Sequence, residues 1–433
     1  MASAAEQLAA NLNFGAFSKA TELKKRLWFT LGALIVYRLG TYIPLPGIDP
    51  IILQDIFKQQ AGGILGMFNM FAGGALGRMT IFALNIMPYI SAAIIMQLMT
   101  SISPSLSQLK KEGEQGRKKI NQYTRYGTVL IAAAQAYGIA VGIEGMTGSQ
   151  GSAVTDPGIF FRFTTVITLV GGTIFLMWLG EQVTARGVGN GISLIIFAGI
   201  VAELPSALAA TLELGRTGAM SSGLIGLLLV GAIGVIYGIV FVERAQRRVV
   251  VQYPKRQQGN KMYGGESSHL PLKINTSGVI PLIFASSLLL MPITVIQLSA
   301  GSGPEFLTTI TSFLGRGQPG YLIIFSVLIA FFAFFYTAVV FNPEETAENL
   351  KKNGGFIPGI RPGNNTSQYL DFILTRLTVV GAIYLVAVAI LPELLIARLA
   401  VPFFFGGTSL LIVVSVTLDT VAQVQSHLLA HQY

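Results

Sequence analysis

Residues 62–100 read GGILGMFNMFAGGALGRMTIFALNIMPYISAAIIMQLMT, and this apolar run decides the fold. It is about twice as long as the roughly 20 residues that cross the hydrocarbon core of a bilayer. Gly73 and Gly74 interrupt it, and Arg78 follows shortly after. The part before the break is too short to span a membrane, whereas the part after it is long enough. Because lipid cannot satisfy free backbone groups, the pattern predicts a re-entrant half-helix at residues 62–76, held inside protein, and then a full membrane span.

The composition of the whole chain is that of a membrane protein. Hydrophobic residues make up 52% of the 433 residues, charged residues only 11%, and the mean hydropathy is +0.63. A soluble domain carries about 25% charged residues. The chain has no cysteine, which excludes disulfide bonds and thiolate metal sites. The first apolar run follows Lys24, Lys25 and Arg26 without a small-residue cleavage site, so we expect it to be retained as a span.

Apolar windows of about 20 residues predict ten membrane spans. They lie near residues 25–43, 78–99, 123–142, 159–179, 191–210, 222–242, 275–297, 320–341, 369–391 and 403–424. With the N-terminus in the cytoplasm, about three quarters of the 29 Lys and Arg residues fall on the cytoplasmic side, as the positive-inside rule requires. This asymmetry supports the span count and predicts that both termini are cytoplasmic. It also explains the net charge of +9 without a nucleic-acid partner.

The predicted fold class is an all-α polytopic membrane protein with ten transmembrane helices in two inverted five-helix halves. Five is an odd number, so two halves of five spans have opposite orientations, and an inverted repeat can place a pathway at its interface. The expected organisation is an N-terminal interfacial segment at 1–21, a first half with span six at 22–242, a cytoplasmic loop at 243–274, spans seven to ten at 275–424, and a cytoplasmic tail at 425–433.

Two cytoplasmic loops are longer than topology requires. Within loop 243–274, residues 249–253 and 269–273 are predicted to be strands with a glycine turn between them. Loop 342–367 begins with a predicted short helix and continues as a Gly/Pro-rich segment that carries Arg361. Basic residues alone would suffice to set the topology. Ordered loops of this length favour the docking of a large partner.

The sequence carries almost no signal for an enzyme. His269, His427 and His431 form no ligand cluster, and the HExxH, GxSxG and Walker A motifs are absent. The glycine-rich run GVGNG at 187–191 lacks the preceding strand that a dinucleotide-binding fingerprint needs. We therefore expect no catalytic residue, no metal site and no cofactor, and an intramembrane enzyme has no supporting set of residues.

Two classes of transport protein are left, and the span cores favour one of them. An ion-coupled transporter keeps charged side chains near the membrane midplane, where each costs roughly 2.5–3.5 kcal/mol. Here the cores are essentially uncharged, with Arg38 and Asp419 near span ends. This favours a passive pathway for a large, chemically varied passenger over a transporter for a small solute.

Isoleucines mark several of the spans. Six of them lie at one-turn spacing or near mid-depth in spans two, five, seven and ten: Ile86, Ile90, Ile192, Ile196, Ile283 and Ile412. Isoleucines in membrane helices commonly face lipid or pack against neighbours. A ring of them would instead narrow and dewet a pore. The spacing alone leaves both interpretations open.

Long collinear stretches resemble the SecY family, the pore-forming subunits of the bacterial Sec protein-conducting channel. These stretches are IPLPGID, FNMFAGGAL, IMPYISAAIIMQLM, KKEGEQGRKKINQYTRYGT, WLGEQVTARGVGNGIS, ERAQRRVVVQYPKRQQG, HLPLKINTSGVIPLIFASS, FYTAVVFNPEETAENLKK, PGIRPG and FGGTSLLIVVSVTLD. The resemblance covers essentially all of residues 20–425. It implies a passive channel that moves unfolded secretory polypeptides across the membrane and releases transmembrane segments and signal sequences through a lateral gate.

The resemblance also assigns roles to residues of this chain. The half-helix at 62–76 is similar to the family's plug, with Gly62, Ile64, Leu65, Met67, Phe68, Asn69, Met70, Phe71, Gly73 and Gly74. The six isoleucines correspond to the pore ring. The lateral gate, between spans two and three on one side and seven and eight on the other, corresponds to Ser91, Gln97, Gln135, Asn275 and Met291. Docking sites for the ribosome or the SecA motor correspond to Lys255, Arg256, Lys261, Lys351, Lys352 and Arg361.

The resemblance implies partners and a location as well. In the family SecE clasps the two halves, SecG is a further subunit, and SecA or the ribosome drives transport; SecD/SecF and YidC are additional candidate partners. Secretory and membrane-protein nascent chains would be the passengers. The expected location is the bacterial cytoplasmic (inner) membrane. Relatives often have glycine where this chain has Asn85, and a large aromatic residue where it has Met291.

Overall fold

The computed structural model describes residues 21–53, 69, 72–145, 147–148, 151–218, 221–253, 256–258, 261–263, 267–298, 318–399 and 407–430. Within these ranges the helices are α1 Thr21–Gly40, α2 Met87–Ile102, α3 Pro104–Lys111, α4 Glu114–Glu144, α5 Ile159–Arg186, α6 Gly191–Arg216, α7 Ser222–Arg244, α8 Ile280–Leu298, α9 Pro319–Val340, α10 Pro343–Lys352, α11 Asn364–Leu399 and α12 Gly407–Ala430. The strands are β1 Thr147–Gly148, β2 Gly151–Ser152, β3 Gln246–Gln252, β4 Arg256–Gln258, β5 Lys261–Tyr263 and β6 Ser267–Lys273.

The predicted spans coincide with these helices. Among the described residues, seven helices are long and apolar enough to cross a bilayer, namely α4, α5, α6, α7, α9, α11 and α12. α2 and α3 meet at a 99° bend and together form an eighth candidate. α1 and α8 occupy the positions of the first and seventh predicted spans. The all-α polytopic membrane fold is therefore confirmed.

Span two begins later than the sequence predicts. The prediction starts it near residue 78, but the residues before Met87 form turns and α2 begins only there. Asn85 adopts a left-handed conformation with φ +49°, which a helix does not allow. Pro88 lies in the first turn of α2, where its missing N–H leaves no hydrogen bond unmade. These two residues explain the late start, and hydropathy alone detects neither.

The irregular backbone before α2 finds its hydrogen bonds within the protein. The amide of Leu45 donates to the carbonyl of Met79 at 3.0 Å, and the amide of Ile81 donates to the carbonyl of Ile43 at 3.1 Å. Leu45 and Met79 are both buried. Non-helical backbone at membrane depth needs such partners, because lipid offers none.

Other boundaries differ where helices are longer than the apolar windows. α4 begins at Glu114, well before the predicted span, because its first turns are polar and apolar windows do not detect them. α12 continues to Ala430, so most of the predicted tail at 425–433 is helical. The predicted interfacial segment lies outside the described residues except for its last residue, Thr21, which begins α1.

The membrane helices share one continuous core. α8 contacts α2 and α4, and it also contacts α9, which in turn contacts α11. α12 contacts α1, α6, α7 and α11, so it joins helices from both predicted halves. The contacts of α2 and α4 with α8 form the seam at which the family resemblance implies a lateral gate.

The two long loops form one folded unit. β3 and β6 pair antiparallel along their whole length, which confirms the two predicted strands. β3 begins three residues before the predicted start and ends one residue before the predicted end, and β6 begins two residues early. α10 is the predicted short helix. Gln252 and Phe356 exchange two backbone hydrogen bonds of 2.9 and 3.0 Å, which join the hairpin to loop 342–367. A second, small hydrophobic core lies beside this bridge. Val249, Leu272 and Ile357 of the loops supply half of it, and Leu370, Ile373 and Leu374 from the start of α11 supply the other half. No sequence pattern predicts this contact between the loops.

Candidate functional site

A small cavity lies where α2, α6 and α8 meet. Residues from the start of α2, the second turn of α6 and the first half of α8 line it: Asn85, Ile86, Met87, Ile196, Ile283 and Ser286. Its free volume is about 10 Å³, which is room for a single water molecule. Three of the predicted ring isoleucines therefore meet at one point and nearly close the space between three helices.

The other predicted ring residues are buried in the same core. Ile90 lies one turn along α2 from Ile86 and is 4% exposed, and Ile412 on α12 is 1% exposed. Ile192, at the start of α6, is partly buried against this core. Five of the six isoleucines are therefore buried inside the protein and Ile192 is partly buried, so they do not form a lipid-facing surface.

Three of the cavity residues are not among the predicted ring positions. Asn85 and Met87 line it because the turn before α2 presents consecutive residues to the cavity, which no helical spacing rule anticipates. Ser286 donates its hydroxyl proton to the carbonyl of Leu282 at 2.9 Å, within its own helix. A proline at position 88 is typical of the first turn of a helix. It could have indicated that Asn85 and Met87 lie at the start of α2 and not in its middle.

The lining is suited to closure against water and ions. The branched aliphatic side chains of Ile86, Ile196 and Ile283 offer no hydrogen bond to water and no ligand to an ion. A constriction of such residues dewets when it is narrow. Because the residues come from three helices, widening the constriction requires those helices to move apart.

A serine pair links α2 to α8. Ser91 Oγ and Ser287 Oγ lie 2.9 Å apart, and both side chains are buried. Ser91 is a predicted gate residue, whereas Ser287 is found only by the structure. A hydrogen bond between neutral groups contributes about 0.5–1.5 kcal/mol, so this link is specific but weak enough to open.

Two predicted gate glutamines carry side-chain oxygens without a hydrogen bond. Gln97 lies on α2 and Gln135 on α4, and the Oε1 atom of each is buried and accepts no hydrogen bond within the described part of the chain. Burying an unsatisfied acceptor costs about 1–3 kcal/mol. A rearrangement of α2 and α4 that supplied donors to these oxygens would therefore be favourable.

The remaining gate predictions, Asn275 and Met291, fall on different parts of α8 and its approach. Asn275 donates through Nδ2 to Glu243 Oε1 at 2.8 Å and to the Gly278 carbonyl at 3.1 Å. Its Oδ1 accepts from Ser277 Oγ at 3.0 Å. These bonds tie the approach to α8 to the end of α7. The side chain of Met291 lies outside the described residues, and the gate role of both residues stays a prediction.

The predicted plug is described only at its C-terminal end. Gly73 and Gly74 adopt left-handed conformations, with φ +63° and +78°, which favour glycine. A Cβ on Gly73 would lie 2.9 Å from the Cα of Gly199 on α6, so the predicted break is a tight turn against α6. Asn69 accepts a hydrogen bond through Oδ1 from the Gly77 amide at 2.6 Å. The other predicted plug residues lie outside the described residues: Gly62, Ile64, Leu65, Met67, Phe68, Met70 and Phe71.

Two arginines hold the turn at Gly73 and Gly74. Arg38 Nη1 donates to the Gly73 carbonyl at 2.9 Å, and Arg78 Nη2 donates to the same oxygen at 3.0 Å. Arg78 Nε donates to the Gly74 carbonyl at 3.1 Å, and Arg78 lies 3.6 Å from Glu203 on α6. Hydrogen bonds from charged donors are stronger than neutral ones. The turn is thereby fixed to both α1 and α6.

Tyr42 completes this arginine cluster. The guanidinium carbons of Arg38 and Arg78 lie 5.0 and 4.3 Å from the centroid of its ring, and Arg38 Nη2 donates to its hydroxyl at 3.0 Å. The electron-rich ring faces both cations, a contact worth about 0.5–1 kcal/mol at exposed sites.

Glu203 corrects the expectation that the span cores are uncharged. It lies within the predicted span 191–210 and in α6, and the sequence pattern does not single it out. Its partner Arg78 is distant in sequence, and their side chains are 30% and 27% exposed. A lone carboxylate in an apolar helix was the available signal, because charge at membrane depth requires a partner.

The described docking residues lie on exposed parts of the loop unit. Lys351 and Lys352 end α10, where positive charge suits the negative end of the helix dipole. Arg361 is exposed between Gly359 and Gly363, which adopt φ +81° and +109°. The left-handed backbone at these two glycines bends the loop on either side of Arg361, so that Arg361 lies at an exposed bend. The description does not include Lys255, nor the side chains of Arg256 and Lys261 in the β4–β5 hairpin.

The fold and the constriction together define a polytopic helical membrane protein whose helices close around an apolar point, as in a gated channel. A family model described as SecY matches residues 80–421. The chain is 56% identical over 413 residues to protein translocase subunit SecY of Escherichia coli (strain K12), covering 95% of this chain and 93% of that protein. It is 55% identical over 419 residues to the subunit of the same name from Rickettsia conorii, covering 96% of each. This chain belongs to the SecY family.

Solved structures share the architecture. A protein-conducting channel matches with a TM-score of 0.67 at 19% identity, covering 94% of this chain and 92% of that chain. Sec61 in the canine ribosome-channel complex matches with a TM-score of 0.65 at 18% identity and the same coverage. The idle yeast Ssh1 complex bound to the 80S ribosome matches at 0.63 and 16% identity, covering 91% and 87%. At sequence identities of 16–19%, the structural similarity shows a common fold and nothing more.

Proposed function

We propose that this chain is the pore-forming subunit of a Sec translocon. It is a passive channel that moves unfolded secretory polypeptides across the cytoplasmic membrane and releases transmembrane segments and signal sequences sideways into lipid. The observation that carries this proposal is the closed apolar constriction of Ile86, Ile196 and Ile283 in a chain of the SecY family. Relatives named protein translocase subunit SecY, and a similar structure of a protein-conducting channel, support it.

In this proposal the six isoleucines form a ring around the passing chain. An extended polypeptide enters when the helices move apart, and the aliphatic side chains close around it without a fixed charge or hydrogen bond. Such a ring excludes ions yet accepts any sequence of side chains. It needs no catalytic residue, so we propose that the chain is not an enzyme.

The lateral gate is the seam between α2 and α4 on one side and α8 and α9 on the other. The Ser91–Ser287 bond closes it, and separation of the helices opens it to lipid. An apolar segment then partitions into the bilayer, because transfer of apolar surface out of water is favourable. The plug at 62–76 closes the outer side of the constriction, with the turn at Gly73 and Gly74 as its hinge.

The energy for transport comes from partners. We propose that SecA or the translating ribosome binds the loop unit at Lys255, Arg256, Lys261, Lys351, Lys352 and Arg361. SecE and SecG complete the channel, and SecD/SecF and YidC assist it. The chain lies in the bacterial inner membrane with both termini in the cytoplasm, which the distribution of basic residues supports.

The ring is tested by ion conductance. Replacing Ile86, Ile196 and Ile283 together with serine should raise the conductance of the resting channel in a planar bilayer about tenfold, because hydroxyls retain water in the constriction. Serine at Ile233, which is 67% exposed on α7, is the matched control and should change nothing. An unchanged leak in the triple variant, with normal assembly, refutes the ring. Substrate-dependent proton or sodium uptake into proteoliposomes would instead support a secondary transporter.

The docking surface is tested by charge reversal. Arg361→Glu should abolish motor-driven translocation into vesicles while leaving the chain in the membrane, because it places a negative charge on a basic surface. Asn353→Glu, at an exposed position just after α10, is the control for an added negative charge on the same unit. Equal translocation by wild type and Arg361→Glu would rule out this site.

A further inference from the structure

The turn between α5 and α6, residues 187–191, is bonded to helices that lie far away in the sequence. The amide of Val188 donates to Thr30 Oγ1 on α1 at 3.0 Å. The amide of Gly189 donates to Gln423 Oε1 on α12 at 2.8 Å. The backbone of one short turn thus joins the first and the last membrane helices.

The hydroxyl acceptors of this turn are oriented by their own helices. Thr30 Oγ1 donates its proton to the Arg26 carbonyl at 2.9 Å, so its lone pairs point to the turn. Thr184 on α5 repeats the pattern: its Oγ1 donates to the Gly180 carbonyl at 2.9 Å and accepts from the Gly191 amide at 2.9 Å. Since a hydroxyl has a single proton, each of these oxygens serves the turn only as an acceptor.

The glycines of the turn allow this close approach. Gly189 has φ +88°, a conformation that favours glycine. A Cβ on Gly187 would collide with Thr30 Oγ1, and a Cβ on Gly191 would collide with the Gly180 carbonyl. A residue with a side chain at either position would push the turn away from its acceptors.

An apolar cluster connects the same elements. Val188 is 2% exposed and packs with Leu23 of α1, which is 1% exposed. Leu27 of α1 and Val424 and Leu428 of α12 pack against this pair. The turn therefore joins α1 and α12 by both hydrogen bonds and packing.

The turn also sets the start of α6. Asn190 caps this helix, since its Oδ1 accepts from the amides of Ile192 at 3.1 Å and Ser193 at 3.4 Å. Ile196, which lines the cavity, follows one turn later. α6 in turn contacts α12, the helix that carries Ile412.

We propose that residues 187–191 form a strap that holds α6 in register with α12. Its positioning residues are Thr30, Thr184 and Gln423. The part of this inference that concerns the pore rests on the proposed function. In that part, the strap keeps Ile196 and Ile412 in place within the isoleucine ring while the seam between α2 and α8 opens. It gives a structural role to the GVGNG run, which the channel mechanism does not otherwise use.

The strap is tested by a distance between α6 and α12 in the full chain reconstituted in lipid. The sequence has no cysteine, so Leu212→Cys on α6 and Thr417→Cys on α12, both exposed, accept spin labels without background. Thr30→Val and Gln423→Met remove one acceptor each while nearly keeping the shape. The double variant should give a distance distribution about twice as wide as the parent, since two backbone donors lose their partners. Thr30→Ser and Gln423→Glu retain an acceptor oxygen and should restore the narrow distribution.

Resting ion conductance of the same samples separates the strap from the ring. A wider distribution with a raised conductance supports both. A wider distribution with an unchanged conductance supports the strap and counts against the ring of the proposed function. An unchanged distribution overturns the strap whatever the conductance. If the double variant fails to assemble, Gln423→Met alone, at an exposed side chain, provides the same comparison.

Discussion

Arg38 and Arg78 show how single residues fix an otherwise weak turn. Two adjacent glycines in left-handed conformations carry a large entropic cost on folding. The two guanidinium groups offset it with three hydrogen bonds to the carbonyls of Gly73 and Gly74. The turn is therefore held by bonds that can be broken without disturbing the apolar core.

We expect Arg78→Gln to loosen this turn and to lower its local stability by about 1–3 kcal/mol, because two charge-assisted bonds and a partly exposed ion pair are lost. Hydrogen–deuterium exchange of the peptide that contains residues 72–78 should become faster. Arg78→Lys keeps the charge without the forked donor geometry, so its exchange rate should lie between those of wild type and Arg78→Gln. Arg216→Gln, which breaks an exposed pair with Glu213, is the control. Equal exchange in Arg78→Gln and wild type would contradict the clamp.

At the scale of elements, the seam between α2 and α8 combines weak polar contacts with an apolar constriction. The Ser91–Ser287 bond is buried, and the Oε1 atoms of Gln97 on α2 and Gln135 on the adjacent α4 accept no hydrogen bond within the described residues. A seam built in this way keeps α2 and α8 in register, but the free energy needed to separate the two helices is small. This is the physical property that a lateral gate needs.

The serine pair should behave as one coupled unit. Ser91→Ala and Ser287→Ala should each weaken the closed seam by about 0.5–1.5 kcal/mol, and the double variant should be no worse than the single ones. Spin labels at Ile95 of α2 and Leu288 of α8, both exposed, would report the fraction of separated helices. Additive effects of the two substitutions would show that the serines act independently.

The two long loops form a second element, whose stability depends on a small core shared with the start of α11. Ile357→Ala should create a cavity beside the bridge between Gln252 and Phe356 and destabilise the loop unit by about 2–5 kcal/mol. Hydrogen exchange at those two amides should become faster, whereas exchange in α9 should not change. Lys352→Ala, at an exposed position on α10, is the control. Protection of both amides at the wild-type level would mean that this small core does not hold the loops together.

At the scale of the whole molecule, the distribution of charge determines how the chain sits in the bilayer. In the predicted orientation about three quarters of the basic residues lie on one side, which gives the insertion machinery a clear direction to follow. In the predicted orientation the arginine cluster at Tyr42 lies on the opposite side. Its positive charge is held in local contacts with the turn at Gly73 and with Glu203.

The predicted orientation is measurable with introduced cysteines. Asn353→Cys should react with a membrane-impermeant maleimide only from the cytoplasmic side, and Thr217→Cys only from the opposite side, because positively charged loops are retained in the cytoplasm. Both positions are exposed in the fold, and the chain has no native cysteine. Labelling of both cysteines from the same side would overturn the span count between them.

The predictions from sequence succeeded where apolar residues dominate a whole segment. Ten apolar windows coincide with helices because burying apolar side chains in lipid requires helical backbone. They failed at the start of α2, where Asn85 and Pro88 override hydropathy, and at Glu203, whose partner is distant in sequence. For the candidate site, the sequence alone found the isoleucines but not their purpose, since spacing cannot tell a packed face from a pore lining.

The sequence by itself determined that this protein is a polytopic helical membrane protein, how its spans are ordered and where its apolar run breaks. It did so because hydropathy, glycine pairs and basic loops act locally along the chain. Only the tertiary structure decided that Ile86, Ile196 and Ile283 meet in one cavity, that Arg38 and Arg78 hold the break, and that α12 is tied to the turn before α6. These facts depend on which helix faces join and on bonds between residues far apart, and no local pattern encodes either.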